Sequence, residues 1–126
     1  MRVLLDTNAL LMPGQFGIDL FTELQEMLGT VEPCVLSDTR IELEKIARGK
    51  GRDAAAARFA LSIFARCTVL TGREATISVD EQIVRCAASD GIVVVTNDRA
   101  LRNRLLNEGL QVISLRRQKA LTMIRR

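Results

Sequence analysis

Hydrophobic positions along this chain alternate between short continuous runs and helical periods, and the two patterns succeed each other through its 126 residues. Val3, Leu4 and Leu5 form an aliphatic run of the kind found in strands that are buried on both faces. From Ile18 to Leu28 the apolar residues recur every three or four positions, which predicts an amphipathic helix. The whole pattern predicts strands at 3–5, 34–36, 68–70, 92–95 and 112–114 and helices at 18–28, 37–47, 53–65, 80–88 and 101–107.

This alternation of strands and helices predicts an α/β fold. Parallel strands need crossover connections, and the helices in them cover both faces of the sheet, so we expect a three-layer α/β/α structure with a mostly parallel sheet. The chain has no linker, internal repeat or low-complexity stretch, which predicts a single domain over residues 1–126. Ser37 or Asp38 is the expected N-cap of the helix at 37–47.

The composition limits the kind of site that the chain can build. It has no His, and its three cysteines show no paired spacing, which argues against structural zinc and favours free thiols. Trp and Tyr are also absent, so the core must be aliphatic. Phe16 is the aromatic residue to examine for function, because Pro and Gly predict an exposed loop over residues 13–17. No apolar run approaches the length of a membrane span, and we expect a soluble, cytoplasmic protein.

Positive charge is concentrated at the C-terminal end. The net charge is +3, and the basic segment 115–126 contains five Lys and Arg residues and no acid. Such a run is either a solvated tail or a surface for RNA phosphates, contacted by Arg116, Arg117 and Lys119. The same alternative applies to three arginines that follow Asp98, namely Arg99, Arg102 and Arg104.

Two predicted strands end in similar polar residues. The first strand ends in Asp6-Thr7-Asn8, and the strand at 92–95 ends in Thr96-Asn97-Asp98. Ligands of open α/β sheets bind at the carboxyl ends of strands, where a desolvated carboxylate requires a positive partner. Asp6 and Asp98 are therefore candidate site residues, although Asn97 or Asp98 could equally cap the helix that follows.

Helical geometry selects two further acids. Glu44 and Glu81 each pair at i, i+4 with an arginine on a solvent-facing side of a helix. Glu42 and Asp80 lie instead toward the core-facing side, close to the start of their helices. Stabilisation of an early-turn acid by the helix dipole is the alternative explanation for both positions.

Asp6, Glu42, Asp80 and Asp98 are thus predicted to converge at one edge of the sheet, and such a cluster cannot stay ionised without cations. Oxygen ligands in the absence of His indicate Mg²⁺ or Mn²⁺, as one or two ions. Carboxylate-held metal ions are a known solution for the in-line attack of water on a phosphodiester.

The order and separation of four motifs resemble those of PIN-domain ribonucleases over essentially the whole chain. The motifs are the strand that ends in Asp6-Thr7-Asn8, Ile41-Glu42-Leu43-Glu44, Val79-Asp80-Glu81-Gln82-Ile83 and Val93-Val94-Val95-Thr96-Asn97-Asp98-Arg99. The resemblance implies a homodimer that cleaves single-stranded RNA with metal-activated water. It also implies that the four acids Asp6, Glu42, Asp80 and Asp98 bind the metal and that Asn8 and Thr96 orient them.

The ending at residues 112–119 resembles the archaeal and eukaryotic branch that processes small-subunit ribosomal RNA more than it resembles the VapC toxins. Glu81 is a departure, because many relatives carry a second Asp there, but its solvent-facing position makes the change harmless. Two further hypotheses stay open: a VapC-type toxin with an antitoxin partner, and a non-catalytic RNA-binding or assembly module. A phosphatase or phospho-accepting receiver is disfavoured, because none of the three lysines follows a predicted strand end.

Overall fold

The computed structural model describes residues 1–70 and 77–124 and contains one six-stranded sheet with helices on both faces. This three-layer α/β/α arrangement confirms the predicted fold class. The strands are β1 (Arg2–Leu5), β2 (Glu32–Leu36), β3 (Thr68–Leu70), β4 (Val93–Val95), β5 (Val112–Arg116) and β6 (Ala120–Ile124). The described helices are α1 (Thr7–Phe16), α2 (Leu20–Leu28), α3 (Ser37–Ala47), α4 (Arg52–Phe64), α5 (Val79–Asp90) and α6 (Arg99–Asn107).

Strand β1 lies near the middle of the sheet, whose order is β3-β2-β1-β4-β5-β6. The first five strands are parallel, and β6 pairs antiparallel with β5. Leu5 is paired with Val95, and Val95 with Ile113, so the residues after these positions leave the sheet at the same level. The carboxyl ends of β1, β4 and β5 therefore meet at one edge, where ligands of such sheets bind.

Two aliphatic clusters fill the space between the layers. Alternate residues of β1, Val3 and Leu5, pack with buried residues of α1 to α4 on one face. Leu4, between them, packs with residues of α5 and α6 on the other face. Since side chains of a strand alternate between the two faces, the continuous aliphatic run of β1 is explained by burial on both sides.

The prediction of a loop at residues 13–17 is wrong, because α1 continues through Pro13 to Phe16. Pro13 removes one backbone donor from the helix interior, which is why the sequence suggested a break. Gly14 permits close packing on α4: a Cβ atom added there would lie 2.7 Å from the Cα of Ala56. Phe16 is half-buried against the core, so the exposed loop on which its proposed function depended does not exist.

The strand at 112–114 is not the last, because the basic segment contains the end of β5, a tight turn and the whole of β6. Arg117 and Gln118 both have positive φ, 54° and 58°, and the Lys119 amide donates a hydrogen bond to the Arg116 carbonyl at 3.1 Å. Two positive φ values in succession are the pattern of a type I′ turn, which usually contains Asn-Gly. Without that signature the turn was not predictable from the sequence.

Smaller expectations had mixed outcomes. The α3 boundaries agree with the predicted helix, but its N-cap is Leu36, with no side-chain cap, so the prediction of Ser37 or Asp38 is wrong. The three cysteines are free. Within the described ranges no helix is both long enough and apolar enough to cross a membrane.

Candidate active site

Asp6 lies where β1 gives way to α1, and it is the N-cap of that helix. Its side chain is almost fully buried, with 5% of its surface exposed. One carboxylate oxygen, Oδ1, accepts a hydrogen bond from the Ala9 amide at 2.8 Å, and Oδ2 accepts one from the Thr96 hydroxyl. Asp6 thus joins the ends of β1 and β4, which are neighbours in the sheet.

The environment of Asp6 opposes its ionisation. Burial raises its pKa from 3.8 to about 7, although the hydrogen bonds from Thr96 and Ala9 act in the opposite direction. The negative charges of Asp80 and Asp98 raise the pKa further. Among the described residues no Lys or Arg forms an ion pair with Asp6. A buried carboxylate among other carboxylates is therefore without the cation that would stabilise its charge.

Thr96 connects the two acids that follow β1 and β4. It is fully buried, and its hydroxyl donates to Asp6 while accepting a hydrogen bond from the Asp98 amide at 3.0 Å. Its carbonyl in turn accepts a hydrogen bond from the Ser114 hydroxyl at 2.6 Å. A hydroxyl with both functions occupied in this way fixes the position of each neighbour.

Asp98 is half-buried and is the N-cap of α6, where its Oδ1 accepts a hydrogen bond from the Leu101 amide at 3.0 Å. The capping alternative for Asp98 is therefore confirmed. Asn97 has a different function, because its Oδ1 accepts a hydrogen bond from the Leu115 amide of β5 at 2.8 Å. Capping uses one oxygen of Asp98, and the charge of this carboxylate still acts on Asp6, whose pKa it raises.

Glu42 and Asp80 complete the predicted quartet from α3 and the first turn of α5. Both side chains are largely exposed. Partial burial raises the pKa of Glu42, and the charges of Asp80 and Asp38 contribute in the same direction. The pKa of Asp80 is raised by burial and by the charge of Asp98. The electrostatic coupling between these carboxylates indicates that the four predicted acids lie in one region.

Three further side chains belong to this region and were missed by the sequence analysis. The Thr7 side chain lies close to Glu42, and its interaction with that carboxyl lowers the pKa of Glu42. Asp38, one helical turn before Glu42, accepts a hydrogen bond from the buried Gln82 amide of α5 at 2.9 Å. These partners are distant in sequence, so only the fold reveals them. Asn8, which was predicted to orient the acids, is exposed.

The donor set suits a hard divalent cation, because it consists of carboxylate oxygens with neither His nor Cys. The burial of Asp6 beside like charges also favours a bound cation. In the described part of the chain, however, no three acidic side chains are gathered closely enough to form a metal site. The residues fit a metal in chemistry and location, but the exposed acids are not preassembled around one.

The candidate RNA-binding cations lie on the α6 and β5–β6 side of this edge. Arg99 is exposed and Arg102 is half-buried, both on α6. Arg104, considered with them, forms ion pairs with Glu81 at 2.9 Å and with Glu108 at 3.1 Å. Three cations at the β5–β6 turn are exposed: Arg116, Arg117 and Lys119.

Comparison with known proteins agrees with this architecture. Residues 3–119 match the PIN-like domain family. The chain belongs to this family. Ribonuclease VapC9 of Archaeoglobus fulgidus is 28% identical to this PIN-like chain over 115 residues, which cover 90% of this chain and 82% of VapC9.

Two solved structures have a similar fold. The PIN domain endonuclease Utp24 superposes with a TM-score of 0.80 at 27% identity, covering 99% of this chain and 92% of that one. A protein from Pyrobaculum aerophilum gives a TM-score of 0.55 at 24% identity, covering 80% of this chain and 77% of that one, and this supports the fold alone. The predicted membership of the PIN family is confirmed. The two similar proteins, Utp24 and VapC9, correspond to the two branches that the sequence analysis considered.

Proposed function

We propose that this PIN-like protein is an endoribonuclease that cleaves single-stranded RNA with the help of Mg²⁺ or Mn²⁺. The observation that carries the proposal is the position of Asp6. It is buried at the carboxyl end of a central strand, beside the charges of Asp80 and Asp98 and without an ion-pair partner in the described residues. The similarity to a ribonuclease and to an endonuclease adds support.

Asp6, Glu42, Asp80 and Asp98 are the residues that would hold the metal in this proposal. A divalent ion bound there supplies an activated water and neutralises charge that develops on the phosphate. Thr96 hydrogen-bonds both Asp6 and the backbone at the start of α6, and the Thr7 side chain interacts with Glu42. We assign these two threonines, rather than Asn8, to the orientation of the carboxylates.

The cleavage assay is direct. The purified chain is incubated with a labelled single-stranded RNA in the presence of Mn²⁺, of Mg²⁺ or of EDTA. We expect metal-dependent internal cleavage that is abolished in Asp6→Asn, while Glu44→Gln, a neighbouring change on the solvent-facing side of α3, retains it. An RNA that stays intact with every metal across the pH range would overturn the proposal in favour of a non-catalytic RNA-binding module.

The biological substrate divides the proposal into two branches. The similarity to Utp24 over nearly the whole of both chains favours maturation of a ribosomal RNA precursor. The similarity to VapC9 favours a toxin ribonuclease, whose partner would be an antitoxin protein. A small open reading frame directly beside the gene, whose product forms a complex with this chain and inhibits cleavage, distinguishes the toxin. We also propose a homodimer, for which sedimentation of the purified protein is the test.

A further inference from the structure

We propose that the β5–β6 turn is a phosphate-binding arm that holds the RNA on one side of the carboxylates, an inference that rests on the proposed function for its ligand. The arm consists of Arg116, Arg117, Gln118 and Lys119. Because these residues follow the carboxyl end of β5, which is parallel to β1 and β4, they project from the same edge of the sheet as the ends of those strands. The arm is thus directed toward the side of the molecule that carries the acids.

The register of the sheet gives the distance between the arm and Asp6. Asp6, Thr96 and Ser114 lie at one level on neighbouring strands, since the residues before them are paired. Ser114 is two inter-strand spacings from Asp6, about 10 Å, and Arg116 lies two residues, about 7 Å, farther along β5. This separation is compatible with a short stretch of single-stranded RNA that contacts both the acids and the arm.

Hydrogen bonds attach the base of the arm to the loop that carries Asp98. The Ser114 hydroxyl donates to the Thr96 carbonyl at 2.6 Å, and the Leu115 amide donates to the Asn97 side chain at 2.8 Å. On the other strand, the Leu121 amide donates to Glu23 of α2 at 3.1 Å. Anchoring at both strands makes the arm a fixed extension of the candidate site.

Within the described residues, the charges of the arm form no ion pairs. Among residues 1–70 and 77–124, Arg2, Arg40, Arg85 and Arg104 form ion pairs with acids, whereas none of the arm cations does. Arg116, Arg117 and Lys119, together with Ala120, line a shallow, open depression of about 380 Å³. Exposed cations around a concavity are suited to the phosphates of a nucleic acid backbone.

The backbone of the arm is also costly to form. Arg117 and Gln118 have positive φ without being glycine, and left-handed conformations are unfavourable for residues that carry a Cβ atom. Strained residues of this kind cluster at functional sites. A pair such as Asn-Gly would form the turn with less backbone strain, but it would remove the positive charge of Arg117 at the tip of the arm.

The arm and the acids divide the edge of the sheet by charge. Negative groups follow β1, β2 and β4, namely Asp6, then Asp38 and Glu42 on α3, then Asp98. The arm lies on the side of β5 and β6, and Arg99 and Arg102 are on α6, the helix that connects β4 to β5. A polyanion is repelled by the acids and attracted by the arm, so the RNA is expected to extend from the carboxylates across β4 toward the arm.

The test measures RNA binding separately from cleavage. Fluorescence anisotropy with a labelled single-stranded oligoribonucleotide, in EDTA, compares the wild type with Arg117→Gln/Lys119→Gln. The matched control is Arg48→Gln/Lys50→Gln, which removes the same amount of charge just after the C-terminal end of α3, away from the acids. We expect the arm variant to bind at least about tenfold more weakly than the control, and its slope of log K against log salt to be shallower by about 1.4, or 0.7 for each lost contact.

Equal affinity and equal salt slope in the arm and control variants would overturn the proposal. The arm would then be a candidate surface for an acidic protein partner instead. Circular dichroism melts verify that each variant folds. If the arm variant loses RNA affinity while the wild type cleaves nothing, the arm is supported and the ribonuclease proposal fails. If cleavage occurs with unchanged binding by the arm variant, the reverse holds.

Discussion

At the scale of single residues, the candidate site depends on how one buried carboxylate is held. Asp6 was predictable because a strand ending in an acid is visible in sequence, and Asp98 followed from the similar pattern after β4. The contacts that orient the acids were less visible. Thr96 touches Asp6 across 90 positions, and Gln82 touches Asp38 across 44. No local rule predicts such pairs, because they depend on which strands and helices become neighbours.

Asp6→Asn tests whether the buried carboxylate destabilises the fold when it is ionised. The pKa of Asp6 in the folded state, about 7, exceeds the ordinary value of 3.8. The unfolded chain therefore loses this proton more readily, and the free energy of unfolding falls as pH rises from about 4 to about 7. The penalty at pH 8 is on the order of 4 kcal/mol at 1.36 kcal/mol per pKa unit. In EDTA at pH 8 we therefore expect the variant to unfold at higher urea than the wild type, with little difference near pH 4. A variant that is less stable at pH 8 would contradict this account of Asp6.

Thr96→Val tests the link between the two acids at nearly constant volume. Loss of the hydroxyl leaves Asp6 and the Asp98 amide without their shared partner, which should cost about 1–3 kcal/mol of stability. Residues that orient metal ligands typically contribute about 10- to 100-fold, so we expect a comparable fall in the cleavage rate. Thr96→Ser, which retains the hydroxyl, is the control. Wild-type cleavage by the valine variant would show that this hydroxyl does not position the acids.

At the scale of secondary structure elements, hydrophobic period located most strands and helices, and the misses have physical causes. The first helix was hidden by Pro13 and Gly14, which ordinarily interrupt helices. Its stability comes from the Asp6 cap and from packing on the alanine-rich α4, neither of which is a local propensity. Strand β6 was hidden because its turn has positive φ at Arg117 and Gln118 and lacks the usual Gly. Tertiary pairing with β5 and a strained turn together override the sequence signal.

Gly14→Ala tests the close packing of α1 on α4. Alanine favours helices, but its Cβ would lie 2.7 Å from the backbone of Ala56, so one helix must move. We expect a net loss of about 1–3 kcal/mol, the usual cost of overpacking, in urea denaturation. Gln15→Ala, at the next and exposed position, should change stability by less than about 0.5 kcal/mol. Equal stability of the two variants would mean that the contact between these helices does not require glycine.

At the scale of the whole molecule, the sheet brings acids from four segments of the chain to one edge and basic residues to the adjacent part of that edge. The carboxylates couple electrostatically but are not gathered around a cation site in the described residues. The sequence was sufficient to predict the PIN fold and to select the four acids by their positions on predicted strands and helices. The hairpin that adds positive charge beside them could not, because it depends on a turn conformation without a sequence signature.

Metal binding should stabilise the whole fold in a pH-dependent way. Below its pKa of about 7, Asp6 must release a proton before it can bind a cation, so protons compete with the metal. A metal at 100 times its dissociation constant adds about 2.7 kcal/mol to the unfolding free energy. We expect the rise in Tm with saturating Mn²⁺ at pH 8 to exceed the rise at pH 5.5 with the same Mn²⁺, and to be much reduced in Asp6→Asn. An equal rise at both pH values would indicate binding elsewhere.

The most direct test of the central claim is a crystal structure of the protein soaked in Mn²⁺ above pH 7, with anomalous diffraction used to locate the ion. We predict one or two Mn²⁺ peaks at the carboxyl ends of β1 and β4, contacted by Asp6 and by at least two of Glu42, Asp80 and Asp98. An anomalous map with no peak there at saturating Mn²⁺, from crystals in which these side chains are ordered, would contradict a metal-dependent mechanism at this site.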